Sequence, residues 1–244
     1  MLVGWIGLSC SAPHDNPLDP ASPNFQTPPD STVERPAPTF SSRVRSVHTG
    51  RVTTDTYRVS VELWPDSVIN IDTVFCRYRE QPPTGMRFST ATGRWTASLT
   101  SSFLGDDDLE SVVGQPFYFI VEQSGDTTWE VGPRYLFRVI QETPLTGDPD
   151  SNLVVQPFPV LTWPSFSGSY PYFYQVIVEH KLDFGIVESF WISDTLLSSV
   201  TQIQVADSLP DDNDWYWILA VYDEFCNTSY SLETHFQVVW EDSL

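Results

Sequence analysis

The sequence predicts an all-β protein in which two tandem antiparallel β-sandwiches follow an extended N-terminal tether. Apolar and polar residues alternate in many short runs, and no stretch keeps a helical spacing over three turns. The runs form two groups, which the proline- and glycine-containing segment 142–151 separates. Eight of the twenty prolines fall within the first 38 residues. Because proline lacks an amide hydrogen and restricts the residue before it, helices and central strands are not expected there.

The first 36 residues predict a leader and a tether. Residues 1–9 are apolar and end in small residues directly before Cys10, and residues 10–36 are proline-rich with few large apolar side chains. This start resembles that of bacterial outer-membrane lipoproteins, in which the signal is cut before a cysteine that is then acylated. The resemblance implies that 1–9 is a signal remnant, that Cys10 is the lipid attachment site, and that 10–36 is a lipidated, extended tether. The competing interpretation is a cytoplasmic protein with an apolar N-terminus.

The first predicted sandwich covers residues 37–142. Within Tyr57–Leu63, every second residue is apolar and the others are polar, which fits a strand with one buried face. The further predicted strands are Ile71–Tyr78, Trp95–Leu99, Phe117–Val121 and Tyr135–Ile140. Three strand patterns resemble those of bacterial immunoglobulin-like domains, namely Tyr57–Leu63, Asp72–Tyr78 and Trp95–Leu99. This resemblance implies a sandwich of about 100 residues.

The second predicted sandwich covers residues 143–241. Its predicted strands are Val160–Trp163, Tyr172–Val178, Val187–Ile192, Ile203–Val205, Trp215–Tyr222 and Thr234–Trp240. Three motifs are similar to strands of fibronectin type III domains: Leu161-x-Trp163, Tyr174-x-Val176-x-Val178 and the run from Trp215 to Asp223. The resemblance implies that Trp163 fills the core between the two sheets.

The net charge is high and unevenly distributed. Asp and Glu number 32 against 12 Lys and Arg, which gives a net charge of −20. This charge repels polyanions, so nucleic acid is not an expected partner. Eleven of the twelve cations are arginines within 33–142, whereas 143–244 holds only Lys181 against fifteen acidic residues. The acidic second half predicts either a cationic partner or solubility alone.

No motif for reaction chemistry is present, so the protein is expected to be neither an enzyme nor the carrier of a cofactor. The four histidines lack the spacing of transition-metal ligands, and no metal site is predicted. The acidic clusters 106–110 and 211–214 are interpreted as inter-strand turns, with calcium loops as the alternative. A Ser–His–Asp set assembled from distant residues also remains an alternative. A disulfide between Cys76 and Cys226 would require a contact between the two domains and is not predicted.

One strand of the second sandwich is apolar on both faces. If alternate residues from Trp215 to Val221 face the core, then the residues between them face outward. The same holds on the neighbouring strand Tyr172–Val178, where Phe173 and Ile177 face outward. The outward-facing set is a candidate interaction surface, which consists of Phe173, Ile177, Tyr216, Ile218 and Tyr222. Packing of the first domain on this surface is the alternative.

The sequence therefore predicts a non-catalytic cell-envelope lipoprotein whose β-sandwiches mediate protein–protein interaction or act as a spacer. The resemblance to lipoproteins implies attachment to the bacterial outer membrane through the N-terminal lipid, with a periplasmic or surface-facing location. The expected partner is a protein. The alternative function is glycan binding through exposed aromatic residues, for which the candidates are Trp95, Trp129, Trp191 and Trp240.

Overall fold

The computed structural model describes residues 38–52, 55–105, 108–123, 127–150, 153–182 and 186–240. Almost all regular structure in these ranges is β-strand, which confirms the predicted fold class. The described helical segments are short, namely α1 (Ser101–Leu104) and a 3-10 turn at Leu109–Val112. None of the described helices is long and apolar enough to cross a membrane. The predicted signal remnant, Cys10 and the tether lie outside the described residues.

Two sheets form the first sandwich. Its strands are β1 (Phe40–Thr49), β2 (Thr56–Pro65), β3 (Thr73–Tyr78), β4 (Thr84–Gly85), β5 (Arg87–Ser89), β6 (Arg94–Thr100), β7 (Pro116–Gln123) and β8 (Thr127–Tyr135). One sheet has the order β5-β6-β2-β1 and the other the order β4-β3-β7-β8. Alternate residues of β2 and β7 are fully buried between the sheets and build the first core, among them Val59, Val61, Phe117 and Phe119.

The second sandwich follows the segment around residue 142. Its strands are β9 (Leu153–Val155), β10 (Val160–Thr162), β11 (Tyr172–Leu182), β12 (Ile186–Ile192), β13 (Leu196–Leu197), β14 (Gln202–Gln204), β15 (Asp212–Asp223), β16 (Thr228–Tyr230) and β17 (Thr234–Val238). The long strands β11 and β15 pair antiparallel, and β10 pairs with β14 in a separate small sheet. Trp215 and Trp217 are fully buried in the second core, and Trp163 lies there as the resemblance implies.

A short parallel pairing unites the two sandwiches into one sheet. β16 pairs with β15 on one side and with β1 on the other, where His48 lies opposite Ser229. The strand order β12-β11-β15-β16-β1-β2-β6-β5 therefore runs without a break through both sandwiches. β1 was not predicted from the sequence. Its inward positions include Ser46 and His48, which are buried although polar, and these residues interrupt the apolar alternation.

The predicted strand Tyr135–Ile140 is wrong, because β8 ends at Tyr135. The residues that follow pass from one core to the other: Leu136 and Val139 pack in the first, and Ile140 in the second. Backbone carbonyls here serve other partners, since the Leu136 carbonyl accepts from the Gly114 amide and the Arg138 carbonyl from the Ser46 hydroxyl. The apolar residues of this segment thus reflect a crossing between cores and not a strand.

Candidate functional site

The five predicted interaction residues lie on one outward face of the second sandwich. Phe173 of β11 pairs with Tyr222 of β15, and Ile177 pairs with Ile218, so these side chains are direct cross-strand neighbours. Each of the five is half-buried, and the inward-facing residues that alternate with them are buried in the core. The cross-strand pair Gln175 and Ala220 lies on the same outward face, between the Phe173–Tyr222 and Ile177–Ile218 pairs. We call this set, Phe173, Ile177, Tyr216, Ile218 and Tyr222, the apolar stripe.

Contacts within the sheet fix the rings of the apolar stripe. The rings of Phe173 and Tyr222 stack with their centroids 5.7 Å apart, and the Tyr222 hydroxyl donates to Thr195 Oγ1 at 2.6 Å. The Tyr216 ring carries the Lys181 ammonium 3.7 Å from its centroid, a cation–π contact. Lys181 is the lone cation of residues 143–244. Its ammonium also pairs with Glu233 at 2.5 Å, so its charge at this end of the stripe is balanced.

The two sandwiches meet beside the apolar stripe, through a buried polar joint. Asp223 is fully buried and accepts from Arg138 Nη1 at 2.9 Å and from the backbone amide of Asn227 at 2.9 Å. The amide side chain of Asn227 donates to Asp223 and accepts from the Ser46 backbone N–H at 2.8 Å. This network ties the end of β15 to β1 and to the segment after β8. We refer to these four residues, Ser46, Arg138, Asp223 and Asn227, as the joint.

A serine, a histidine and an aspartate do come together next to the joint, but not as a catalytic set. Ser229 Oγ lies 2.9 Å from His48 Nδ1, and His48 Nε2 lies 3.2 Å from Asp55 Oδ2. The Ser229 hydroxyl donates its single proton to the Glu142 carbonyl at 2.8 Å, so its oxygen accepts from the imidazole. A general base must instead receive the proton of its nucleophile. Both Ser229 and His48 are fully buried, and the arrangement therefore orients chain segments.

The histidine of this set is held on two further sides. The Tyr57 ring stacks on the His48 ring at a centroid distance of 4.2 Å. Asp55 has a pKa below its ordinary value, because its carboxylate accepts from the Arg51 backbone amide and interacts with His48, effects that outweigh its slight burial. The loop between β1 and β2 is thereby attached to a buried imidazole.

The remaining predicted positions have ordinary structural roles. The predicted turn at 211–214 is wrong in part, because residues 212–214 form the start of β15 at a bulge. There Asp212 Oδ1 accepts from the backbone amides of Asn213 and Asp214. Among the described residues, no group of three or more His, Cys, Asp or Glu could hold a metal ion; residues 106 and 107 lie outside them. Cys76 and Cys226 are both free thiols, and burial raises the pKa of Cys76 to about 12.

Three of the four candidate tryptophans for glycan binding pack against the cores. Trp95 and Trp129 lie against the first core, and Trp191 lies against the second. Trp240 is 45% exposed, and its indole N–H donates to the Leu209 carbonyl. The tryptophans therefore do not form a common stacking platform.

Sequence reasoning missed a polar groove on the outward face of the first sandwich. The groove has a volume of about 540 Å³, and its lining includes Arg45, Arg58 and Arg87 around Ser60, Thr96 and Ser98. We call it the arginine groove. The concentration of arginine within residues 33–142 was a signal for it. However, only the strand order, which places β5 beside β6, brings Arg87 into the same face as Arg45 and Arg58.

No family model and no curated protein matches the chain. Among solved structures, the chain is similar to the fibronectin(III)-like modules of Clostridium thermocellum CbhA, with 11% identity, 82% of this chain and 93% of that chain covered, and a TM-score of 0.32. It is also similar to the FN1–FN3 domains of chicken CNTN1, with 12% identity, 83% and 65% of the two chains covered, and a TM-score of 0.26. At these TM-scores the fold class rests on the strands, pairings and cores described above.

Proposed function

We propose that this protein is a non-catalytic, lipid-anchored protein of the bacterial cell envelope, whose joined β-sandwiches bind a protein partner through the apolar stripe. The observation that carries the proposal is the stripe itself, a set of neighbouring aromatic and aliphatic side chains on an outward sheet face. Contiguous apolar patches on a protein surface mark interaction sites, and tyrosine is a frequent energetic anchor in them.

The position of the joint supports this use of the stripe. The first sandwich contacts the second through Arg138 and β1, which meet Asp223, Asn227 and β16. These contacts are made beside the stripe and do not require any of its five side chains. Sheet pairing and buried hydrogen bonds also hold the two sandwiches to each other. We therefore propose in addition that the pair acts as a stiff spacer, which presents the stripe at a distance from its attachment point.

The attachment point is Cys10, whose surroundings resemble a lipoprotein cleavage site. A single acyl chain binds membranes only marginally, and several chains hold a protein firmly. In a bacterial host, the full chain is therefore expected in the outer-membrane fraction, and the Cys10→Ser variant in the soluble fraction of the envelope. If both variants distribute identically between the fractions, the anchor is refuted while the binding proposal stands.

The binding proposal is tested with the double variant Tyr216→Ser/Tyr222→Ser. We expect it to lose a partner that the unaltered chain captures from an envelope extract, and to bind that purified partner about tenfold more weakly or worse, because two anchor side chains are removed. The matched control is Tyr118→Ser, which removes another half-buried tyrosine from an outward face, on β7. Loss of thermal stability without loss of any partner would show that the stripe serves the fold instead.

A further inference from the structure

The outward face of the first sandwich concentrates positive charge in an acidic protein. The charged residues at outward positions of β1, β2, β5 and β6 are five arginines and one glutamate: Arg43, Arg45, Arg58, Arg87, Arg94 and Glu62. The chain as a whole has a net charge of −20 and twelve cationic residues. Almost half of its cations therefore lie on this one sheet face.

Glu62 neutralises one end of this face. Its buried carboxylate pairs with Arg94 Nη1 at 2.7 Å and with Arg45 Nη2 at 3.1 Å. Arg43 lies farther away, with its Nη1 3.9 Å from the same carboxylate. One negative charge thus serves three guanidinium groups, and the face keeps a positive excess around it.

Arg58 and Arg87 have no such partner among the described residues. Both side chains are exposed, and neither forms an ion pair or hydrogen bond with any residue in the described part of the chain. Both line the arginine groove together with Arg45. Guanidinium groups make their strongest hydrogen bonds with carboxylates, sulfates and phosphates, frequently in bidentate geometry. The groove therefore presents unused donors for anions.

The spacing of these arginines favours an extended anion over a single small one. Arg58 lies on β2 and Arg87 on β5, with β6 between them. Arg58 lies opposite Thr100 and Arg87 opposite Thr96, so they are also offset by four residues along β6. At ~4.8 Å per strand and ~3.4 Å per residue, the two positions stand about 17 Å apart on the sheet face. Ser60 and Ser98, which are direct cross-strand neighbours, lie between them on the groove floor. A ligand that reaches both arginines must carry anionic groups at intervals and cross a floor of hydroxyl groups.

The groove floor also discriminates between classes of polyanion. It lies on a sheet face, where the backbone groups are already used in the strand ladders, so a peptide cannot bind there by strand addition. Hydroxyl groups on the floor can donate to and accept from the hydroxyl groups of a sugar. At one wall lies the half-buried ring of Tyr230 from the second sandwich, which provides a surface for a sugar ring.

We propose that the arginine groove is a binding site for an acidic polysaccharide, whose carboxylate or sulfate groups pair with Arg58 and Arg87 while its hydroxyl groups contact Ser60 and Ser98. This site goes beyond the proposed protein-binding function. It lies on the first sandwich, uses different residues from the apolar stripe, and could be occupied while the stripe holds a protein.

The test measures binding of the full chain to polygalacturonate and dextran sulfate, with unmodified dextran and poly-L-glutamate for comparison. For the double variant Arg58→Gln/Arg87→Gln, we expect an affinity about tenfold lower or worse, since two charge-assisted contacts are lost. The matched control is Arg77→Gln/Arg79→Gln, which makes the same charge change at or beside β3 in the other sheet. Thermal unfolding should be unchanged in the groove variant, because neither arginine side chain forms an ion pair or hydrogen bond with another described residue.

Binding of either acidic polysaccharide, weakened by added salt and lost only in the groove variant, supports the proposal. Three results overturn it. The first is that neither acidic polysaccharide binds. The second is equal loss in the control variant, which would show general attraction to arginine. The third is that poly-L-glutamate binds as tightly through the same arginines, which would assign the groove to an acidic peptide.

Discussion

The two halves of the large sheet share one outward face but differ completely in its chemistry. Along one line of cross-strand neighbours, Phe173 pairs with Tyr222, Tyr222 with Thr228, Thr228 with Val47, and Val47 with Arg58. The line begins in the apolar stripe and ends in the arginine groove. Backbone pairing continues across the joint regardless of side chain, so a single sheet presents two surfaces suited to different ligands.

The two halves also differ in the burial and the partners of their charged side chains. In the first half, Glu62 is buried on the outward face beneath three arginines, each of which is about one third exposed. In the second half, the outward face of β15 and β11 is mainly apolar, and Lys181 lies over an aromatic ring. Between the halves, charge is buried completely at Asp223. A substitution at the joint is therefore expected to destabilise the protein more than one on either outward face.

The largest effect is expected from Asp223→Asn. The Asp223 carboxylate accepts from Arg138, from the side chain and backbone of Asn227, and from the Phe225 amide. Asparagine has the same shape, but its NH₂ group would face the N–H donors that now bind the carboxylate. The substitution also removes the negative charge that balances Arg138. We expect the free energy of unfolding to fall by about 3 kcal/mol, the usual cost of disrupting a buried ion pair. Urea denaturation at neutral pH measures it.

The control for this variant is Glu224→Gln, because Glu224 is the second carboxylate near Arg138. Its Oε1 lies 3.5 Å from Arg138 Nη2, and its side chain is 40% exposed, so the expected loss is below about 1 kcal/mol. Amide exchange should separate loosening of the joint from global unfolding. In Asp223→Asn, exchange should accelerate first at the Ser46 and Gly50 amides, which donate to Asn227 Oδ1 and to the Tyr230 carbonyl. Equal stability of the two variants would contradict this account of the joint.

The fold class and the apolar stripe could be predicted because both depend on alternation within single strands. A period of two assigns Trp215 and Trp217 inward and Tyr216 and Ile218 outward, without knowledge of any neighbouring strand. These features need only local sequence and the general tendency of apolar side chains to be buried. The core position of Trp163, in contrast, was predicted from the resemblance of its strand to those of fibronectin type III domains.

The joint and the arginine groove could not be predicted, because both depend on which strands become neighbours. The alternation within β1 does not predict that His48 lies opposite Ser229, which follows 181 residues later in the chain. The polar residues buried at this pairing also interrupt the apolar alternation of β1, so β1 was not predicted as a strand. In the same way, Arg58 and Arg87 share a face only because β5 joins the sheet beside β6. Long-range register, and not composition, determines both features.

A smaller effect is expected from Glu62→Gln, on the arginine-rich outward face of the first sandwich. Glutamine keeps an acceptor for Arg94 but removes the charge shared by three arginines. Those arginines are partly solvated, so the loss is expected to be about 1.5 kcal/mol, below that at Asp223. The control is Glu130→Gln on β8, whose exposed pair with Arg77 is 2.8 Å long and should contribute little. If both variants lose the same free energy of unfolding in urea denaturation, the burial of Glu62 does not strengthen its ion pairs. The outward face of the first sandwich would then differ from the joint only in its residue types.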